Sequence, residues 1–144
     1  LWYSIMDSAG QWTEPVNMGN RINTEYDETS PFIHFDGTTL YFASDGWPGM
    51  GGLDLFITRM NEDSTWTEPK NLGYPINTAG DEMGLVIEAG GEVAYFSSKR
   101  ENSLGKDIYS FVLDESIRPN PVSYIKGKVS DKETGEHYGR SLNL

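Results

Sequence analysis

The chain has 144 residues, no cysteine, a formal net charge of −11 and 12% aromatic residues. Disulfides and thiolate metal sites are therefore excluded, disorder is disfavoured because aromatics bury the most area on folding, and a surface this acidic repels nucleic acid and anionic lipid. Sixteen Gly, seven Pro, eight Tyr and four Trp point to short strands joined by tight turns, and no apolar run approaches the roughly 20 residues of a membrane-spanning helix.

The first residues, Leu1–Met6, already read as a strand, and they lie over Leu55–Met60 at a shift of 54. No N-terminal leader is legible. The next segment, "WTEPVNMGNRINTEYDE" (Trp12–Glu28), returns as "WTEPKNLGYPINTAGDE" (Trp66–Glu82), with eleven of 17 positions identical. The register continues from Ser30–Ser44 onto Gly84–Ser98, and from Gly51–Met60 onto Leu104–Leu113 after a one-residue deletion. Within the first copy, Phe32–Phe35 is a short apolar run, Asp36-Gly37 a hairpin turn, and Thr39–Ala43 the return strand. A Gly-rich loop, "DGWPGMGG", leads into a third strand over Asp54–Arg59, and "STWTEPKNLG" into a fourth, outer segment where Pro69 needs no ladder donor. Gly90-Gly91 repeats the first turn.

A repeat of about 40–50 residues built from several short strands is the mark of propeller blades. The predicted fold is all-β: a partial β-propeller of about 2.7 blades of four antiparallel strands, about four to eight being needed for a ring. The blades divide as 1–29 (the end of one), 30–75 (one complete) and 82–113 (most of another). The chain is expected to be a piece of a larger ring, or to complete its ring with another chain, because open repeat ends leave apolar faces bare. "DESIRPNP" (114–121) reads as a linker, and 122–144 as the start of a β-sandwich domain or a docked tail.

The residues Trp12/Trp66, Pro15/Pro69, Asn17/Asn71, Gly19/Gly73, Asn23/Asn77, Asp27/Asp81 and Glu28/Glu82, with Tyr41-Phe42-x-Ser44, Tyr95-Phe96-x-Ser98, Asp54 and Asp107, resemble the WD40-like, TolB-type propeller repeats of large periplasmic proteins of Bacteroidota. The resemblance covers roughly residues 1–113. "KGKVSDKETGE" is similar to the opening of carboxypeptidase-regulatory-like domains. The pattern looks like that of OmpA-family, PorE-like proteins of type IX secretion. The resemblance implies a periplasmic, outer-membrane-associated protein with a protein or peptidoglycan-associated partner.

For function, the residues divide into those that repeat and those that do not. Asp27, Glu28, Asp81 and Glu82 repeat, each pair standing before a strand. A ring of such carboxylates could hold Ca²⁺, which takes about six to eight oxygens; the same groups serve as acceptors for turn N–H groups or a neighbouring Arg. No other cofactor is expected. Trp47 and Met50 lie in the one loop without an apolar counterpart, where the second copy reads "KRENSLGK", and an exposed Trp there is a candidate contact anchor. Trp2, Trp12 and Trp66 read as core, and Arg100 as an ion-pair partner of Asp107. His34 and His137 stand alone, a poor zinc pattern. "WPGMGGLD" lacks the Lys-Ser/Thr ending of a phosphate loop, and no nucleophile elbow is present. The expected function is a non-enzymatic binding or scaffold module, with Trp47, Met50, Asp27, Glu28, Asp81 and Glu82 as binding residues. The alternative is an accessory propeller of a hydrolase whose catalytic domain lies outside these residues.

Overall fold

The computed structural model describes residues 1–100, 103–123 and Thr134. The described residues are all-β and form three antiparallel sheets, none of them closed. A two-stranded ribbon pairs β1 (Trp2–Tyr3) with β2 (Val16–Asn17). A four-stranded sheet has the order β3 (Glu28–Ile33), β4 (Thr39–Ser44), β5 (Asp54–Arg59), β6 (Lys70–Asn71). A three-stranded sheet follows in the order β7 (Glu82–Ile87), β8 (Val93–Ser98), β9 (Asp107–Val112).

The third strand matches its expected bounds, but β3 begins at Glu28 and stops before Phe35, which is 71% exposed in the turn. The outer segment contributes only Lys70–Asn71, directly after Pro69, and an isolated bridge between Met60 and Trp66. The ribbon carries the same bridge as Met6 to Trp12.

Local chemistry explains the hairpins. Asp36 Oδ1 accepts the N–H groups of Thr38 and Thr39, both at 2.9 Å, and Gly37 takes φ +68°. That positive φ is one an L side chain resists. The second hairpin turns at Gly91, φ +75°. Both first strands also carry a bulge, between Thr29 and Phe32 and between Met83 and Val86. Its left-handed residue is Gly84 in the second copy but Ser30, φ 50°, in the first, a position where a Cβ is strained.

The core lies between the two larger sheets. Tyr41, Ala43, Leu55 and Ile57 face Leu85, Ile87, Ala94 and Phe96, all buried, and each large aliphatic or aromatic side chain there contributes about 1.5–3 kcal/mol. The other face of the four-stranded sheet buries Leu40, Phe42 and Phe56 with Ile22, against Leu1, Met18, Trp47 and Trp66. The four-stranded sheet is thus covered on both faces. The outward row of the three-stranded sheet, Val86, Tyr95, Ile108 and Val112, is exposed.

The segment expected to be a linker lies against both sheets. Asp114 caps a 3-10 turn, Glu115–Ile117. The Tyr41 hydroxyl donates to the Ile117 carbonyl at 2.6 Å, and Arg59 Nη2 donates to the Arg118 carbonyl at 2.6 Å. The Asn120 N–H reaches Asp36 Oδ2 at 2.8 Å. The expected opening of a β-sandwich domain falls on 122–144, of which only residues 122, 123 and Thr134 are described.

Candidate functional site

Strand register puts most of the candidate residues at one end of the sheets. Glu28 pairs with Ser44, and Ser44 with Asp54; Glu82 pairs with Ser98, and Ser98 with Asp107. Both "INTxxDE" segments and the "WPGMGG" loop therefore share this end. The hairpin turns and the docked 114–121 segment occupy the opposite end.

Glu28 and Glu82 do the same work. Glu82 Oε2 accepts the Thr78 N–H at 2.9 Å, and Oε1 accepts the hydroxyls of Thr78 and Ser98, both at 2.7 Å. Glu28 accepts from the Thr24 N–H, the Thr24 hydroxyl and the Ser44 hydroxyl in the same pattern. Each carboxylate braces the loop before its strand to the end of the next strand. Glu82 is fully buried, with both oxygens engaged.

The aspartates differ. Asp81 joins the sheets: Oδ1 accepts the Leu53 N–H at 3.2 Å and Oδ2 lies 3.5 Å from Lys106 Nζ. Beside it, the Gly52 N–H donates to the Gly80 carbonyl at 3.0 Å and the Glu82 N–H to the Leu53 carbonyl at 2.6 Å. Gly51 and Gly52 permit this approach, since a Cβ on either would overlap the Gly80 carbonyl or the Asp81 carboxylate. Asp27 has an exposed carboxylate, and its N–H donates to Asp45 Oδ1 at 2.9 Å. Among the described residues, no group of three or more His, Cys, Asp or Glu side chains is placed to hold a metal ion.

Trp47 is half-buried on the Ile22 cluster, and its indole N–H donates to the Ile22 carbonyl at 3.0 Å. Its counterpart in the second copy is Arg100, whose guanidinium donates to the Pro75 and Ile76 carbonyls at 2.7 Å and lies over the Phe96 and Tyr109 rings. A tryptophan and an arginine thus answer the same Ile carbonyl in the two copies. The expected pairing of Arg100 with Asp107 is not formed, because those carbonyls and rings hold the guanidinium. Met50 is exposed at the loop tip, its N–H bonded to the buried Asp54 carboxylate, which also takes the Gly51 N–H at 3.4 Å. Of the tryptophans read as core, Trp66 is half-buried while Trp2 and Trp12 are 63% and 66% exposed.

Two groups outside the expected set emerge. Asn77 is fully buried; its Oδ1 accepts the Leu55 N–H at 2.8 Å and its Nδ2 donates to the Leu55 carbonyl at 2.9 Å and to Asn71 Oδ1 at 2.8 Å. Asn23 makes the same three contacts to Leu1 and Asn17. Its recurrence marked it, but only the three-dimensional pairing with a residue 22 positions away explains it. At the opposite end, burial raises the Asp36 carboxyl, but bonds from the Thr39 hydroxyl and the Thr38, Thr39 and Asn120 N–H groups outweigh it and hold it at about 2.

Among the described residues, no helix is long and apolar enough to cross a membrane. No family model, no curated protein and no solved structure matches the chain.

Proposed function

We propose that the chain is a sector of a β-propeller that acts as a non-catalytic binding or scaffold module in the bacterial envelope, periplasmic and associated with the outer membrane. The observation that carries this reading is the use of the acidic motif. Both copies commit Glu28 and Glu82 to the same hydroxyl and N–H partners, which is how a fold-building signal behaves, whereas catalysis calls for an asymmetric constellation with separated pKa values. Rigid sheets then present the loops between them, and the "WPGMGG" tip with Met50 is the contact surface. The partner is a protein or a peptidoglycan-associated component of the envelope.

A photoreactive residue placed at position 50, in cells that make the protein, tests this. A discrete adduct with an envelope component is expected, and none from the same group at position 62, at the opposite end of β5. No adduct from position 50, or equal labelling from both, rejects the loop as the contact surface.

A further inference from the structure

The three sheets stack by one rule, which shows in the third strand of each unit. There two adjacent residues point to opposite faces: Leu1 and Trp2 in the ribbon, Leu55 and Phe56 on β5, Ile108 and Tyr109 on β9. Register equates them. Trp2 pairs with Asn17 as Phe56 pairs with Asn71, and Leu55 pairs with Ala43 as Ile108 pairs with Ser97. Asn23 and Asn77 hold the backbones of Leu1 and Leu55 alike.

In both internal interfaces the aliphatic residue of one sheet packs with the aromatic residue of the next. Leu1 packs on the cluster that holds Phe56, and Leu55 lies in the cluster on which Tyr109 packs. Among the described residues one of each kind is left over: Ile108, 80% exposed, and Trp2, 63% exposed. Trp12 is exposed too, whereas its counterpart Trp66 packs on the same cluster as Leu1. The stack therefore ends in an aliphatic face on β9 and an aromatic face on the ribbon. Each lacks the cover that its counterparts have inside the chain. Large apolar side chains left in water together mark an interaction surface.

We propose that the two ends meet between two copies of the chain: the β9 face of each copy, through Ile108, receives the ribbon face of the other, through Trp2 and Trp12. This rests on the reading of the chain as a sector of stacked sheets and is independent of the envelope partner. A second copy is the occupant because the chain carries both halves of the contact and twice shows how such halves fit. The contact is heterologous, joining different patches, and stays finite only by closing into a ring. Two copies of three sheets each bring six, within the about four to eight of a propeller. The ribbon has only two strands, so it leaves Val86 and Tyr95, on β7 and β8, in water. Like charge, −11 per copy, opposes association at long range. The pairing is accordingly weak, with a Kd on the order of 100 µM, and in dilute solution the chain is a monomer with Ile108 in water.

Sedimentation equilibrium of the intact chain, from about 5 µM to about 1 mM, tests this. A monomer–dimer equilibrium is expected, tightening as salt rises from about 20 to about 300 mM. Ile108→Glu and Trp2→Ser, both at exposed positions, should each weaken it at least about 10-fold. Phe35→Ser removes an exposed aromatic at the hairpin turn and should leave it unchanged. Orientation is read with introduced cysteines, since the chain has none of its own. Ser4→Cys lies two positions from Trp2, and Ser110→Cys two positions from Ile108. In a mixture, a short bis-maleimide should join the Ser4→Cys chain to the Ser110→Cys chain, and neither variant to itself. A monomer at every concentration overturns the proposal and leaves the sector reading standing. Adducts of Ser110→Cys with itself overturn both, since like faces would then meet. Open-ended growth to larger species, or equal weakening by Phe35→Ser, overturns the proposal as well.

Discussion

The two copies of the repeat share a motif, a bulge and a hairpin brace, yet they sit in different surroundings. Among the described residues, the four-stranded sheet has a neighbour on each face and the three-stranded sheet has one. Leu55 is 0% exposed, whereas Ile108, at the same place in its sheet, is 80% exposed. Tyr41 is 0% exposed and its counterpart Tyr95 is 43%. Asn77 is fully buried while Asn23 is half-buried. Identical letters therefore carry different energies, because a side chain is worth what its surroundings remove from water.

The sharpest break between the copies is apolar. Leu55→Ala should destabilise by about 3–4 kcal/mol and Ile108→Ala by under about 0.5 kcal/mol, read from denaturant midpoints at constant slope. Equal losses would mean that the outward row of the second sheet is covered in solution. Next comes the asparagine pair. Asn77→Ala strands the Leu55 N–H and carbonyl in a dry site and should cost about 3 kcal/mol; Asn23→Ala, near water, about 1 kcal/mol. Inverted values would contradict the burial difference.

The second copy reads Gly90 at the place of Asp36, and there the exposed Glu88 carboxylate takes the Val93 N–H at 3.2 Å. The folded pKa of Asp36, about 2, lies below the ordinary 3.8. The stabilisation is therefore present above the ordinary value and is lost as pH falls from about 4 to about 2. Asp36→Asn should remove about 1 kcal/mol at neutral pH, solvent screening and the retained amide oxygen reducing the loss, and flatten the loss in that acid window. An unaltered acid profile of the variant would show that other carboxylates set it.

Two smaller tests follow. Tyr41→Phe leaves the Ile117 carbonyl without its buried donor and should cost about 1 kcal/mol, with Tyr95→Phe near zero. Ser30→Gly copies the second sheet's bulge residue into the first and should stabilise by about 0.5–1 kcal/mol, as relief of the left-handed strain at Ser30 exceeds the added entropy of glycine. Destabilisation by that change would mean the hydroxyl contributes more than the strain costs.

Much of the architecture was legible from patterns. The strand order, the turns at Gly37 and Gly91 and the third strand at Asp54–Arg59 all follow from alternation and turn chemistry, because these depend on neighbours along the chain. The 54-residue repeat likewise marked Glu28 and Glu82 as a pair. What partners each side chain was a different matter. Trp2 and Trp12 read as core by analogy with their copies, but exposure depends on what lies across the sheet. Trp47 stood out as unrepeated, yet it answers the same Ile carbonyl that Arg100 answers in the other copy. The segment 114–121 has the composition of a linker, and only its bonds to Arg59, Tyr41 and Asp36 reveal that it docks. A lone histidine carries no signal in a sequence. Local periodicity decides which residues become strands, whereas contacts between residues far apart in the chain decide which of them are buried or paired, and His34 Nε2, buried and without a partner among the described residues, is of that second kind.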